Sequence, residues 1–216
     1  MATVQWGSSN TNPISITSAP GLQFAPAIAD NGGAEFGVAW IADDTITVKF
    51  FDEQGLPSAA LPTAIVTDGV YGSTSVVATV TDVHMSAGGV GGYGIVWEVS
   101  AVGQPSLIQF RYIAETGLFG PEISVSATAT GVNQHDVAIA GYSKDDPTGR
   151  PNVEGFAVVW VESPIGNPDQ ANGQIVFQNI GVALDRRKDP IANPAAAGLD
   201  GRPPADPTGG GSNTQR

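Results

Sequence analysis

Two glutamates, Glu98 and Glu162, follow closely on the tryptophans Trp97 and Trp160, and Asp43 stands in a similar place after Trp40. Carboxylates carried to equivalent places on neighbouring elements can face one pocket, and two of them flanking a sugar are what glycosidic bond cleavage requires. The same three acids fit two plainer roles, as a binding site for a sugar or cation and as the polar ends of buried strands. Paired acids offer a second chemistry. Asp43-Asp44, Asp52-Glu53 and Asp145-Asp146 set carboxylate oxygens at the short range that calcium uses. Such pairs also serve simply as turn formers, Asp146-Pro147 in particular.

Other chemistries lack their parts. The chain has no cysteine, which excludes disulfides, thiol catalysis and thiolate metal sites. Its two histidines, His84 and His135, fall short of the three or more ligands of a zinc site and of the proximal and distal groups of a haem pocket. Gln134-His135-Asp136 reads as a polar strand edge. There is no Gly-x-Ser-x-Gly elbow for a serine nucleophile. The run Ala87-Gly88-Gly89-Val90-Gly91-Gly92-Tyr93-Gly94 has the glycines of a calcium-binding nonapeptide, but Tyr93 stands where that pattern places its aspartate. It carries no Gly-Lys-Ser/Thr of a phosphate loop either, and reads as a hairpin turn. Calcium is therefore the one cofactor the sequence admits.

The elements that must position these residues are repeats. Phe36-Gly37-Val38-Ala39-Trp40 returns as Tyr93-Gly94-Ile95-Val96-Trp97 and as Phe156-Ala157-Val158-Val159-Trp160. Apolar side chains on both faces of a short run rich in aromatic and β-branched types predict a strand buried on both sides. Around each copy the chain supplies further short strands. In the first, Phe24 to Ile28 precedes it across an Asp30-Asn31-Gly32-Gly33 turn, and Ile46 to Phe51 and Ala64 to Val66 follow it, separated by a turn at Gln54-Gly55-Leu56-Pro57. In the second, the strands are Asp82 to Ser86, Tyr93 to Trp97, Leu107 to Ile113 and Ile123 to Val125. In the third, they are Asp136 to Ala140, the strand ending at Trp160, Gln174 to Ile180, and a weak one near Pro190 to Ala192.

The tryptophans lie 57 and then 63 residues apart, and the difference falls in loops at Ser100 to Ser106 and in a polar insertion from Ser143 to Glu154. Recurring packing explains Trp40, Trp97 and Trp160, since large aromatics fill the wedge between units. Trp6, outside that register, is the candidate surface aromatic for stacking on a sugar.

Units of four short antiparallel strands with a period above 40 residues predict an all-β, β-propeller-like array of about three and a half blades, with a pair of β-sandwiches as the alternative. The units are a half repeat at 1–18, repeats at 19–68, 69–128 and 129–194, and a Pro- and Gly-rich tail or linker at 195–216. Three and a half blades leave an edge that another segment, or a second copy pairing through the half-blade, would have to close.

The repeated strand, followed by a branched-polar strand and the turn Asp52-Glu53-Gln54-Gly55-Leu56-Pro57, resembles the blades of large secreted bacterial proteins that also carry RTX calcium-binding repeats, some attached to haem peroxidase domains. The resemblance spans roughly residues 20 to 194. It implies an accessory extracellular module for adhesion or binding within a larger parent chain, and transfers no catalytic residue. The second repeat departs from the pattern, with Ala114 at the place of Asp52.

Charge sets the remaining bounds. Nine Lys and Arg against 21 Asp and Glu give a net charge of −12, a surface that repels nucleic acid and anionic lipid. No apolar run of the length that spans a membrane is present, and Met1 to Trp6 lacks the basic and apolar segments of a signal peptide. Since strand-like sequence begins at once, Met1 reads as the start of a piece of something longer. Acidity with no cysteine fits a secreted bacterial protein, and a carbohydrate or cell-surface group is the expected partner.

Overall fold

The computed structural model describes residues 16–17, 21–32, 35–59, 61, 63–67, 71, 76–88, 91–125, 131–144, 153–165 and 173–183. Eleven strands form among them: β1 (Gln23–Asp30), β2 (Glu35–Ala42), β3 (Thr45–Asp52), β4 (Ala64–Ile65), β5 (Thr79–Ala87), β6 (Tyr93–Ser100), β7 (Leu107–Ile113), β8 (Ile123–Ser124), β9 (Val132–Lys144), β10 (Val153–Pro164) and β11 (Gln174–Ala183). They build three separate antiparallel meanders in the orders β1-β2-β3-β4, β5-β6-β7-β8 and β9-β10-β11. The protein is all-β, and each repeat tryptophan lies on the second strand of its sheet.

Turn chemistry closes each meander. Asp43 and Asp44 are the two connecting residues between β2 and β3, with φ of 47° and 63°; both dihedrals are left-handed, as a type I′ hairpin requires. After β3, Oδ1 of Asp52 accepts the N–H groups of Gln54 and Leu56 at 3.0 and 2.8 Å, and Gly55 takes φ 78°. After β7 the same turn forms around Gly117, φ 81°, with Ala114 in place of the aspartate. The backbone bonds from Gly117 to Ala114 and from Ala114 to Leu118 suffice there. Between β5 and β6, the Gly88 N–H donates to Gly92 at 2.7 Å, and Tyr93 is a fully buried strand residue. The glycine-rich run is thus a hairpin.

The sheets stack in chain order through two seams. The first joins Ala39, Ile41, Ile46, Val48 and Phe50 to Tyr93, Ile95, Trp97, Val83 and Met85. The second joins Val96, Ile108, Phe110 and Tyr112 to Phe156, Val158, Trp160 and Val137. Because alternate side chains of a strand leave opposite faces, each tryptophan packs back on the preceding element, and in the first two sheets the residue before it, Ala39 or Val96, packs forward on the next sheet. Aromatic pairs repeat with the seams: Phe50 and Tyr93 have ring centroids 5.1 Å apart, and Tyr112 and Phe156 6.0 Å apart. In the first sheet Trp40, Val38 and Phe51 form the backward face, with Ile16 against it.

Three expectations change. The first strands run longer than their apolar cores, and the ends of the 143–154 insertion are strand: Ser143 pairs with Glu154 and Lys144 with Val153, because the β9-β10 register continues past the core. Only the second sheet's central strand is buried on both faces throughout Tyr93 to Trp97; in the third sheet the forward face of that strand is only half-buried. The fourth strand near Pro190 to Ala192 and all of the half repeat except Ile16 and Thr17 lie outside the described residues.

Candidate functional site

The polar end of the second seam collects the chemistry-bearing side chains. Glu98 leaves β6 on the face of Val96, toward the third sheet, and Glu162 leaves β10 on the face of Trp160, toward the second. The two acids therefore reach the same seam from opposite sides. Ile108, the cross-strand partner of Glu98, donates its N–H to Oε1 of Gln134 at 3.3 Å. Nε2 of Gln134 in turn donates to Oε1 of Glu162 at 3.2 Å.

Glu162 is held by three donors. Besides Gln134 it accepts the indole N–H of Trp160 at 3.2 Å and the amide of Gln174 at 3.2 Å. Gln134 is itself locked: its N–H reaches Oγ of Ser106 at 3.0 Å, and that hydroxyl donates to the Gln134 carbonyl at 2.7 Å. With 1% of its surface exposed, Gln134 is a buried cross-seam tie, which corrects its reading as part of a strand edge. A buried amide must find partners in this way, since an unmet one costs about 1–3 kcal/mol. Within the second sheet, the Trp97 indole donates to Oε1 of its buried cross-strand neighbour Gln109 at 3.0 Å.

Glu98 is the electrostatically exceptional group. Burial pushes its carboxyl from 4.5 up to about 7; the His135 charge acts in the opposite direction and Asp82 in the same one, while a Thr81 hydrogen bond favours the ionised form and the Asp136 charge disfavours it. Asp82 is its cross-strand partner and also contacts Nε2 of His84 at 3.0 Å.

A bulge in β9 shapes the surroundings. Register shifts between the partners of Val159 and Val161, with Asp136 at φ 55°, so two residues oppose Trp160. Adjacent side chains of a regular strand point to opposite faces, and a bulge re-aims them. Here it lets Nδ1 of His135 meet Oδ2 of its neighbour Asp136 at 2.9 Å, while Nε2 meets Oγ of Ser163 at 3.1 Å. The order Ser-His-Asp has the hydrogen-bond sequence of a hydrolytic triad. Ser163, however, is buried, so no substrate reaches its hydroxyl, and the chain of bonds works as a latch between β9 and β10.

The remaining predicted residues lie apart. Asp43 belongs to the β2-β3 turn, where its N–H bonds the Leu22 carbonyl at 3.4 Å and its Oδ1 accepts the Leu22 N–H at 3.3 Å. It clamps the entry to β1, and Asp44 is the other turn residue. Among the described residues, no three His, Asp or Glu side chains form a group able to hold a metal ion. Trp6, Asp145 and Asp146 lie outside the described residues. Beside Trp40 is a small hollow of about 170 Å³ lined by Ile16, Thr17, Gln23, Phe24, Pro26 and Val38. Trp40 itself is buried, so it offers no open stacking face.

Reasoning from sequence missed Ser106, Gln134, Gln109 and Ser163. Gln109 carried a signal, as the one long polar side chain between Ile108 and Phe110 on a buried strand. No protein-family model, curated protein or solved structure matches this chain.

Proposed function

We propose that the chain is a non-enzymatic, extracellular binding or spacer module of a larger secreted bacterial protein, built as a β-propeller-like array with each sheet a blade. One observation carries the reading: the same interface is used twice, with the tryptophan-bearing face of one sheet laid on the forward face of the sheet before it. A chain that spends its repeated residues on stacking is a scaffold. Glu162 supports this, since its oxygens are held by neighbouring amides and an indole, leaving it spent on structure. The acidic composition without cysteine favours an extracellular setting. Calcium, on the acidic turns, and carbohydrate are the ligand classes the reading admits. The hollow beside Trp40, lined mainly by apolar side chains, suits an apolar group better than a sugar.

Thermal melts in EDTA, in millimolar calcium and with a panel of simple sugars test it. A ligand that binds only the folded chain stabilises it by about 2.7 kcal/mol at a hundredfold excess over Kd. A shift with calcium or a sugar supports the binding module, and a cooperative melt that none of them moves leaves the spacer role.

A hydrolase is the second reading, favoured by Glu98 and Glu162 opening on one seam with Glu98 pushed up to about 7, the range of a general acid. Turnover of any glycoside that Glu98→Gln abolishes without unfolding the chain would establish it in place of the scaffold.

A further inference from the structure

The two seams differ at one set of places. Beside Trp40, the first seam takes Ile41 on β2, with Phe24 opposite it on β1 and Ala27 opposite Ala39, and all four belong to its apolar cluster. Beside Trp97, the same places on the second sheet hold Glu98, with Asp82 opposite it on β5 and His84 opposite Val96. Residues paired across neighbouring strands share a face, so Asp82, His84 and Glu98 all stand on the forward face, where the third sheet docks. That sheet brings His135 and Asp136 from β9, side by side at the bulge. It also brings Glu162 from β10, whose oxygens are taken by Gln134, Trp160 and Gln174. β7 adds no charge, since its residue opposite Glu98 is Ile108, and Arg111 of the same strand turns to the Val66 and Gly120 carbonyls. Lys144 stands at the far end of β9, opposite Val153. Among the described residues, this joint therefore sets four carboxyls against the two histidines alone.

We infer that the second seam is a proton-controlled joint: protonated carboxyls keep the third sheet docked on the second, and their ionisation loosens it while the first seam stays closed. Like charges directly opposed on neighbouring strands destabilise the pair. Ionised Glu98 and Asp82 make such a pair, covered by the docked sheet and faced by its Asp136. The balancing groups are His135, held by Asp136 and Ser163, and His84, held by Asp82. An imidazole loses its charge as pH rises, so the counter-charges fade as the carboxylates gain theirs. The sign follows from burial. Docked, Glu98 keeps its proton up to about pH 7, against 4.5 for the free carboxyl; undocked, it meets water and releases it. Opening thus releases a proton, and the open fraction grows as pH climbs from about 4.5 to about 7, then levels. A shift of that size caps the change at roughly 300-fold, which access to water lowers to about tenfold. The third sheet is last in the stack, and the terminal unit of an array can open while the rest stays folded. The inference concerns this joint alone and is independent of any calcium or sugar site.

Amide hydrogen exchange of the full chain, read by mass spectrometry from about pH 5 to about pH 8 and corrected for the intrinsic change in exchange rate, tests it. Protection of β9, β10 and β11 should fall about tenfold over that range, while β2 and β3 hold theirs. Glu98→Gln should abolish the fall and keep the third sheet at its acid level of protection. Asp82→Asn, at a half-exposed site, should shrink the fall by removing the opposed charge, and keeps the test valid even if Glu98→Gln unfolds. A third sheet whose protection does not move with pH overturns the inference, as does a fall that both substitutions leave unchanged. Equal loss in all three sheets also refutes it, since that is global unfolding and needs no joint.

Discussion

Replacing Glu98 by glutamine should stabilise the protein at alkaline pH and leave it unchanged in acid. Burial raises the carboxyl from 4.5 to about 7, so across that window the folded chain holds a proton that the unfolded chain has released. Stability therefore falls as pH climbs from about 4.5 to about 7, and above that the ionised carboxylate is a constant cost. At about 1.4 kcal/mol for each tenfold step in acidity, the whole rise corresponds to roughly 3 kcal/mol. The carboxyl is partly open to water, and screening reduces this to about 1–2 kcal/mol. Glutamine keeps the shape and the acceptor for Thr81 but has no charge to desolvate. At about 2–4 °C for each kcal/mol in a chain of this size, Glu98→Gln should melt roughly 3–6 °C above the parent at pH 8.

The assay is a pair of thermal melts, parent and variant, in steps from pH 4 to pH 8. The two curves should meet near pH 4, where Glu98 is neutral in both states, and diverge through the window. A variant that melts lower than the parent at pH 8 would refute the argument, because it would mean that contacts particular to the carboxylate outweigh the cost of its burial. An offset that is the same at every pH would equally sink it, since a difference with no pH dependence is packing and not ionisation.

Three further substitutions probe the scaffold. Gly94→Ala sets a Cβ 2.6 Å from Cδ1 of Phe156 and 2.8 Å from Cε2 of Phe110, an overpacked seam that should cost about 1–3 kcal/mol in denaturant titration. Trp97→Phe removes the indole donor and leaves the amide of Gln109 without its partner, for a loss of about 1–3 kcal/mol from the unmet bond beyond the change in packing; Trp97→Phe with Gln109→Leu should recover part of it. Asp44→Gly relieves a non-glycine residue at φ 63° and should stabilise by roughly 0.5–1 kcal/mol, with any calcium response unchanged if Asp44 is only a turn residue.

The strands were legible because they are written in apolar runs, and their ends were not because pairing does not stop where hydrophobicity does. Tyr93 to Trp97 is buried throughout, and its pattern says so. Ser143, Lys144, Val153 and Glu154 carry no such signal, yet they continue the β9-β10 ladder, because backbone hydrogen bonds are indifferent to side-chain polarity. The turn after β7 shows the converse. Ala114 loses the side-chain acceptor that Asp52 provides, but the glycine at the left-handed position preserves the turn.

The candidate site was less readable for a related reason. Glu98 and Glu162 stand one and two residues after their tryptophans, so alternation sends them to opposite faces relative to those tryptophans. Stacking then returns them to a single seam, because the forward face of one sheet meets the backward face of the next. Neither the spacing nor the composition contains that step. Gln134, Ser106 and the bulge at Asp136 are likewise invisible until two strands far apart in sequence are paired.

The five-residue repeat carries both halves of an interface. Its first and fifth residues, aromatic and tryptophan, fill the backward face, and its second residue, small, leaves room on the forward face for a side chain of the next sheet. A Cβ at Gly94 would lie 2.7 Å from Cε1 of Phe156, and one at Gly37 would meet Cε of Met85 at 2.5 Å. A glycine is therefore required wherever a following sheet packs. The third copy has Ala157 at that position, on the only one of the three forward faces that no sheet of the described residues covers. Three copies make two seams and leave one unmatched face at each end. The backward one is met by Ile16, and the forward one presents Ile175 and Phe177 to solvent, because the pattern that stacks one sheet on the next leaves the last forward face apolar.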